Sequence, residues 1–187
     1  MIVGLTGSFC AGKDTAAEYL VKDRSYAHYS LSDELREVMR ARGIATSREN
    51  LIRTGTELRE TEGNAALVQR ALKRCSPGVN CIITSIRHPA EVNELRKRND
   101  FILINIGAPA RVRFARMQRR ARPGDPETFE KFIEFEKKES QTSGSGQQLK
   151  ECEKLADVTI MNDGTGEELN RSIDAVVADF TRRCAGL

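Results

Sequence analysis

The sequence predicts an α/β protein of three layers, in which five parallel strands are covered by helices on both faces. Three observations lead there. Five short apolar runs, Ile2–Thr6, Tyr26–Leu31, Cys81–Ser85, Phe101–Ile106 and Val158–Met161, have the length and composition of buried strands. Helical periodicity fills the stretches between them, and strands alternating with helices call for a parallel sheet with both faces covered. At 187 residues, 39% hydrophobic and 30% charged, the chain has the size and balance of one globular domain.

The helices follow in order. Gly12–Asp23 is the first. Ser32 is placed to cap the second, with Asp33 and Glu34 in its first turn and Leu35, Val38 and Met39 turned inward. Thr46 with Glu49 three residues on reads as a capping box for the third. Asn64 would cap a fourth, which runs to Lys73 and buries Leu67, Val68, Ala71 and Leu72. Further helical patterns cover Pro89–Lys97, Pro109–Ala121, Pro126–Glu139 and Gly166–Arg182. Residues 32–80 are too many for one crossover and should form a helical insertion beside the sheet. Thr142–Gln148, rich in Gly and Ser, reads as a flexible connection.

Composition narrows the function. No apolar run is long enough to span a membrane, and the short opening run lacks the basic leader of a signal peptide. A cytoplasmic protein starting at Met1 is the expectation. The five cysteines, Cys10, Cys75, Cys81, Cys152 and Cys184, are irregularly spaced and form neither a disulfide framework nor a zinc site. A net charge of +3, no Trp, and no aromatic residues threaded through a basic stripe argue against a nucleic-acid partner.

The most informative segment is Gly7-Ser8-Phe9-Cys10-Ala11-Gly12-Lys13-Asp14-Thr15. As a bare pattern G-x-x-x-x-G-K is not rare, but here it follows an apolar strand and opens a helix, the context a phosphate-binding P-loop needs. Gly7 and Gly12 allow the tight turn that aims successive N–H groups at phosphate oxygens, and the helix N-terminus adds its dipole. Lys13 would reach the β- and γ-phosphates of ATP. The alternative is a Gly-rich turn with a solvated lysine.

Two positions depart from the usual pattern. Asp14 stands where a Ser or Thr commonly holds Mg²⁺, with Thr15 one step later. Asp14 would ligate the metal itself, or Thr15 would do so through a shifted loop, or Asp14 merely favours the helix dipole. The acidic residue usual at a later strand end is absent, Thr84 and Ser85 ending the third strand. Asp33, just past the second strand, is the remaining carboxylate at that edge of the sheet. Its candidate roles are general base, water-mediated metal partner, or helix-start charge.

Transfer between two phosphorylated molecules gathers negative charge, which arginine forks bind well. Arg36 lies one turn into the second helix and Arg87 two residues past the third strand. Arg116, Arg119, Arg120 and Arg122 lead into Pro123-Gly-Asp-Pro126, a covering segment between two helices. Arg53 and Arg59 lie in the insertion. Each arginine also has a plain reading as a solvated surface residue.

Assembled, these residues resemble the nucleoside-monophosphate-kinase branch of P-loop kinases, near dephospho-coenzyme A kinases, deoxynucleoside monophosphate kinases and an archaeal kinase-like family. Ile2-Val-Gly-Leu-Thr-Gly7 is similar to the dephospho-coenzyme A kinase start, and Gly12-Lys-Asp-Thr15 to the deoxynucleotide kinases. Ser30–Arg36 resembles the adenylate-kinase segment that supplies an acceptor-phosphate arginine. Arg48–Arg59 resembles an acceptor-domain helix, and Ile86–Val92 a segment whose arginine, here Arg87, holds the acceptor phosphate. Residues 111–127 look like a lid, and Ala156–Gly164 like the last strand and base-passing loop.

The resemblance implies a three-layer P-loop NTPase fold with a helical acceptor-binding insertion and a small lid. It implies ATP at Gly7, Ser8, Cys10, Ala11, Gly12, Lys13, Asp14, Thr15, Asn162 and Gly164, with Asn162–Gly164 lining the base mostly through backbone. The acceptor would lie at Asp33, Arg36, Arg53, Arg59 and Arg87. Lys13, Asp33, Arg87, Arg116 and Arg120 would act in catalysis, and Mg²⁺ would sit at Asp14 and Thr15. The implied activity is ATP-dependent phosphorylation of a (deoxy)nucleoside monophosphate by a monomer or homodimer. Dephospho-coenzyme A kinase and a nucleotide-binding switch without kinase activity are the alternatives.

Overall fold

The computed structural model describes residues 1–122, 124–140 and 144–186. Five strands, β1 (Ile2–Thr6), β2 (Ala27–Ser30), β3 (Cys81–Thr84), β4 (Phe101–Gly107) and β5 (Val158–Met161), form one parallel sheet in the order β2-β3-β1-β4-β5. β1 and β3 are buried along their whole length. That explains why they read as continuous apolar runs.

Successive side chains point to opposite faces of a strand, so each strand feeds two cores. Ile2, Ile83 and Leu103 face one side, where they meet Leu35, Leu58, Leu67 and Leu95. These belong to α2 (Leu31–Ala41), α3 (Arg48–Glu62), α4 (Ala66–Arg74) and α5 (Pro89–Leu95). Val3, Leu5, Ile82 and Ile104 face the other side and meet Ala16, Leu20, Leu169 and Ile173. Those come from α1 (Lys13–Arg24) and α9 (Gly166–Cys184). The three-layer expectation and all five strands hold. α6 (Ala110–Arg120) and α7 (Phe129–Ser140) pack on each other beyond β4 through a cluster of Phe114, Phe129 and Phe132.

Three helix starts differ from the expectation. α2 is entered directly from β2, with Ser30 rather than Ser32 as N-cap. Ser30 is still extended and registered against Thr84, and its hydroxyl meets Ser85 Oγ at 3.3 Å instead of capping. At α3 the cap is Ser47, whose Oγ accepts from Asn50 N at 3.1 Å, one position after Thr46. At α4 it is Ala65. Asn64 Oδ1 is buried without a partner among the described residues.

A helix that the periodicity did not announce, α8 (Leu149–Lys154), is only six residues long. It follows the Gly/Ser-rich stretch, of which Thr142 and Ser143 lie outside the described residues. The rest is tied down, because Gln148 N donates to Arg87 O at 2.7 Å. Pro123, in the segment expected to form a lid, also lies outside the described residues.

Candidate active site

β1 sits between β3 and β4, so the loop leaving its C-terminal end opens at the centre of the sheet edge where α/β proteins bind ligands. Gly7 and Gly12 have φ of 133° and 106° there, in the region that L side chains avoid. Neither has room for a side chain. A Cβ on Gly7 would lie 2.2 Å from Ile106 O, and one on Gly12 2.2 Å from Asn162 Nδ2. Cys10 is also left-handed, with φ 58°. A loop held this tightly has its backbone committed before any ligand arrives.

Lys13 folds back over the loop. Its Nζ donates to Gly7 O and Ser8 O, both at 2.7 Å. Burial, and then the charge of Arg87, lower its pKa from 10.5 to about 8. The amine is thus poised to gain from a nearby polyanion. Burial raises the Cys10 thiol, with Arg120 opposing, so it stays protonated at neutral pH and is not an activated nucleophile.

The loop borders a cleft of about 620 Å³, whose lining brings Lys13, Asp14, Thr15, Asp33, Arg36, Arg87, Arg116 and Arg120 together. Eight residues from four separate sequence segments thus converge. A second cavity of about 420 Å³ adjoins it and shares Phe9, Arg36, Arg87 and Arg122. Its floor is apolar (Leu31, Leu35, Leu51, Ile52, Leu67) and is supplied by the helical insertion.

Four of the cleft arginines are held by polar partners. Arg36 Nη1 bonds Asp33 Oδ1 at 2.5 Å, one turn away on α2. Arg87 Nη1 donates to Gln147 Oε1 at 2.8 Å. Arg116 donates to Ala11 O and to Asn162 Oδ1, both at 3.3 Å. Arg120 bonds Asp125 and lies 4.8 Å above the Phe9 ring, while Arg48 covers Phe9 at 5.0 Å.

Four expectations meet a different placement. Arg53 is exposed, hydrogen-bonded to Asn50 Oδ1, and lines neither cavity. Arg59 reaches the smaller cavity, but its guanidinium is locked in a buried ion pair with Glu91 at 2.9 Å. Gly164 is exposed in the loop after β5, away from both cavities. Asn162 is buried, and its side chain, not its backbone, addresses the loop, Nδ2 donating to Ala11 O at 2.8 Å.

Sequence reasoning missed two contacts with the site. His28 lies on β2, with Nε2 at 2.8 Å from Thr84 Oγ1, and lines the cleft at the strand-end position that lacks an aspartate. Burial lowers its pKa, against the pull of Asp33 and Asp14. Ser8 Oγ donates to Glu153 Oε1 at 2.9 Å, which braces the loop against α8. A histidine inside an otherwise apolar strand was the available signal for the first. A six-residue helix gave none for the second.

No group of three or more His, Cys, Asp or Glu able to hold a metal occurs among the described residues. Mg²⁺ needs none, since it is ordinarily held by one or two carboxylates, waters and substrate phosphates. Asp14, Thr15 and Asp33 on one cleft fit that arrangement.

Comparison with known proteins places this architecture. A family model described as the AAA domain matches residues 3–142. The UPF0200 protein PH1008 of Pyrococcus horikoshii is 35% identical over 95% of both chains. The chain is an AAA-domain protein of the UPF0200 family. Another member, MJ1399 of Methanocaldococcus jannaschii, is 29% identical over 96% of this chain and 90% of its own.

In three dimensions this UPF0200 protein is similar to the shikimate kinase of Acinetobacter baumannii, solved with shikimate. The TM-score is 0.59 at 17% identity, over 95% of this chain and 93% of that one. The shikimate kinase of Aquifex aeolicus gives 0.53 at 18% identity, over 96% and 97%. Likeness at that identity establishes the fold, which is P-loop and kinase-like. No helix among the described residues of this UPF0200 protein is long and apolar enough to cross a membrane.

Proposed function

We propose that the protein transfers the γ-phosphoryl group of ATP to a small phosphorylated acceptor, a (deoxy)nucleoside monophosphate. One observation carries this reading. Arg36, Arg87 and Arg122 stand on the boundary shared by the phosphate-loop cleft and the apolar cavity. An acceptor with its apolar body on the insertion would have its phosphate among these arginines, facing the donor.

The chemistry asks little of the protein beyond placement. An oxygen of the acceptor phosphate bonds to the γ-phosphorus, the bond from that phosphorus to the bridging oxygen breaks, and ADP leaves with the electron pair. The nucleophile is already anionic, so no general base is required. Asp33 then serves by holding Arg36. Lys13, Arg116 and Arg120 neutralise charge that spreads over the transferring group. Mg²⁺ entering with ATP would be held by Asp14 and Thr15, with Asp33 beyond, and supplies further charge neutralisation.

A second reading has its own support. Thr84, with the His28 ring against its hydroxyl, ends β3 where P-loop enzymes place an aspartate, which suits a nucleotide-binding switch without phosphotransfer. ADP release measured against a panel of nucleoside monophosphates, dephospho-coenzyme A and shikimate separates the readings. Turnover with one or more monophosphates is expected. Turnover only with dephospho-coenzyme A or shikimate replaces the acceptor, and ATP binding without turnover on any of them favours the switch.

A further inference from the structure

Arg120 points its guanidinium at the phosphate loop but is held from behind. Its Nη2 is shared between the two Asp125 carboxylate oxygens, each at 3.1 Å. Arginine pairs best with a carboxylate through a fork of two parallel N–H bonds. Here a single nitrogen serves both oxygens, and Nε is buried with no hydrogen-bond partner among the described residues. A buried donor left unpaired is costly, and one on an arginine that lines a binding cleft asks for an explanation.

The surroundings supply it. Arg120 lines the cleft together with Lys13, Arg87 and Arg116, whereas Asp125 does not. Asp125 is fixed in its own turn. Its Oδ2 accepts from Arg122 N at 3.1 Å, and its N–H donates to Arg122 O at 3.1 Å. The Phe9 ring below the guanidinium keeps it level with the loop. A carboxylate therefore sits on the rim of a cationic cleft and engages the cleft's arginine only in part.

Building on the ATP reading of this cleft, we infer that Asp125 is a stand-in for phosphate. It positions Arg120 beside the loop and gives it up when the nucleotide's phosphate oxygens take the unpartnered Nε and Nη2 as a fork. Asp125 is thus a positioning residue that acts through Arg120. Because the turn holds the carboxylate, the exchange needs only a rotation of the arginine side chain.

The test is a double-mutant cycle on the full chain, with MgATP and inorganic tripolyphosphate titrated by calorimetry. Asp125→Asn keeps the turn's acceptor oxygen and removes the competing charge. It is expected to tighten both ligands by about two- to fivefold, the scale of a partly exposed ion pair. Asp125→Ala, the second variant, should do the same with some loss of melting temperature. In an Arg120→Gln background either change should move affinity by less than about twofold, because the partner that competes for phosphate is gone.

A merely structural aspartate would lower the melting temperature without tightening either ligand, and that result overturns the inference. Tightening that persists in the Arg120→Gln background overturns it too, by showing only the relief of general negative charge. A wild-type chain that binds neither probe overturns the ATP reading itself, and this inference with it. Binding by the wild type with no gain in Asp125→Asn overturns the inference alone.

Discussion

Arg59 and Glu91 form an ion pair that solvent scarcely touches, with Nη2 and Oε1 at 2.9 Å and side-chain exposures of 4% and 0%. The other carboxylate oxygen of Glu91 accepts from Arg87 N at 2.9 Å and His88 N at 3.0 Å. One carboxylate therefore ties the helical insertion to the loop that presents Arg87. Arg59 lines the smaller cavity with its guanidinium committed to this pair.

This relationship predicts a stability effect. Glu91→Ala would leave Arg59 charged and unpaired and strand two backbone donors, at a cost of about 3–5 kcal/mol. Arg59→Met leaves Glu91 its two N–H partners and fills similar space, so its cost should be clearly smaller. Urea denaturation of both variants measures the difference. If Arg59 instead bound the acceptor, Arg59→Met would raise the acceptor KM and leave stability unchanged.

A pH dependence follows from Lys13. In the free protein its pKa is about 8, and a bound polyanion would raise it. ATP affinity should therefore be flat below pH 8 and fall above it, by up to about tenfold per pH unit. Lys13→Met should abolish the dependence. Arg87→Ala should move the break upward, because the charge of Arg87 is the second cause of the lowering. Stability runs the other way. From about pH 8 to the ordinary value of 10.5, the unfolded chain holds a proton that the native one has lost, so the free protein should gain stability as pH rises. Denaturation and calorimetric titration across that range check both signs.

The two loop glycines should fail differently when changed to alanine. At Gly7 the added carbon meets a backbone oxygen, Ile106 O, at 2.2 Å. Nothing there yields without moving β4. At Gly12 it meets the end of the Asn162 side chain at the same distance, which can swing aside. Both pay for a left-handed backbone, about 1–3 kcal/mol. Gly7→Ala should lower the melting temperature sharply, whereas Gly12→Ala should fold and lose nucleotide affinity. Thermal melts paired with ATP titration distinguish them.

How much of this was legible in the sequence follows the range of the forces involved. Gly7, Gly12 and Lys13 could be read because a phosphate loop is a local conformational demand written in nine consecutive residues. Arg36 and Arg87 could be read because strand ends in a parallel sheet share one edge. Arg59 could not, since its partner lies 32 residues away and nothing local marks it as buried. The caps at Ser30 and Ser47 were missed because several polar residues compete near each helix start, and packing chooses among them. Glu153 was invisible because α8 is too short for periodicity.

Asn162 carries the last prediction. Its Nδ2 donates to Ala11 O and its Oδ1 accepts from Arg116 Nη2, so one amide links the floor of the loop to a cleft arginine. Asn162→Ala removes both bonds, and Arg116 keeps only its own contact with Ala11 O at 3.3 Å. Asn162→Asp is the more telling change, because it is isosteric. It keeps an oxygen for Arg116 but faces the Ala11 carbonyl with a carboxylate, and it adds a negative charge where the ligand is anionic. If the amide matters only as packing, Asn162→Asp should be the milder variant. If it sets the loop and its electrostatics, Asn162→Asp should weaken ATP at least as much as Asn162→Ala, by about tenfold or more, and high salt should recover part of the loss. Affinity measured for both variants at low and high ionic strength decides between them.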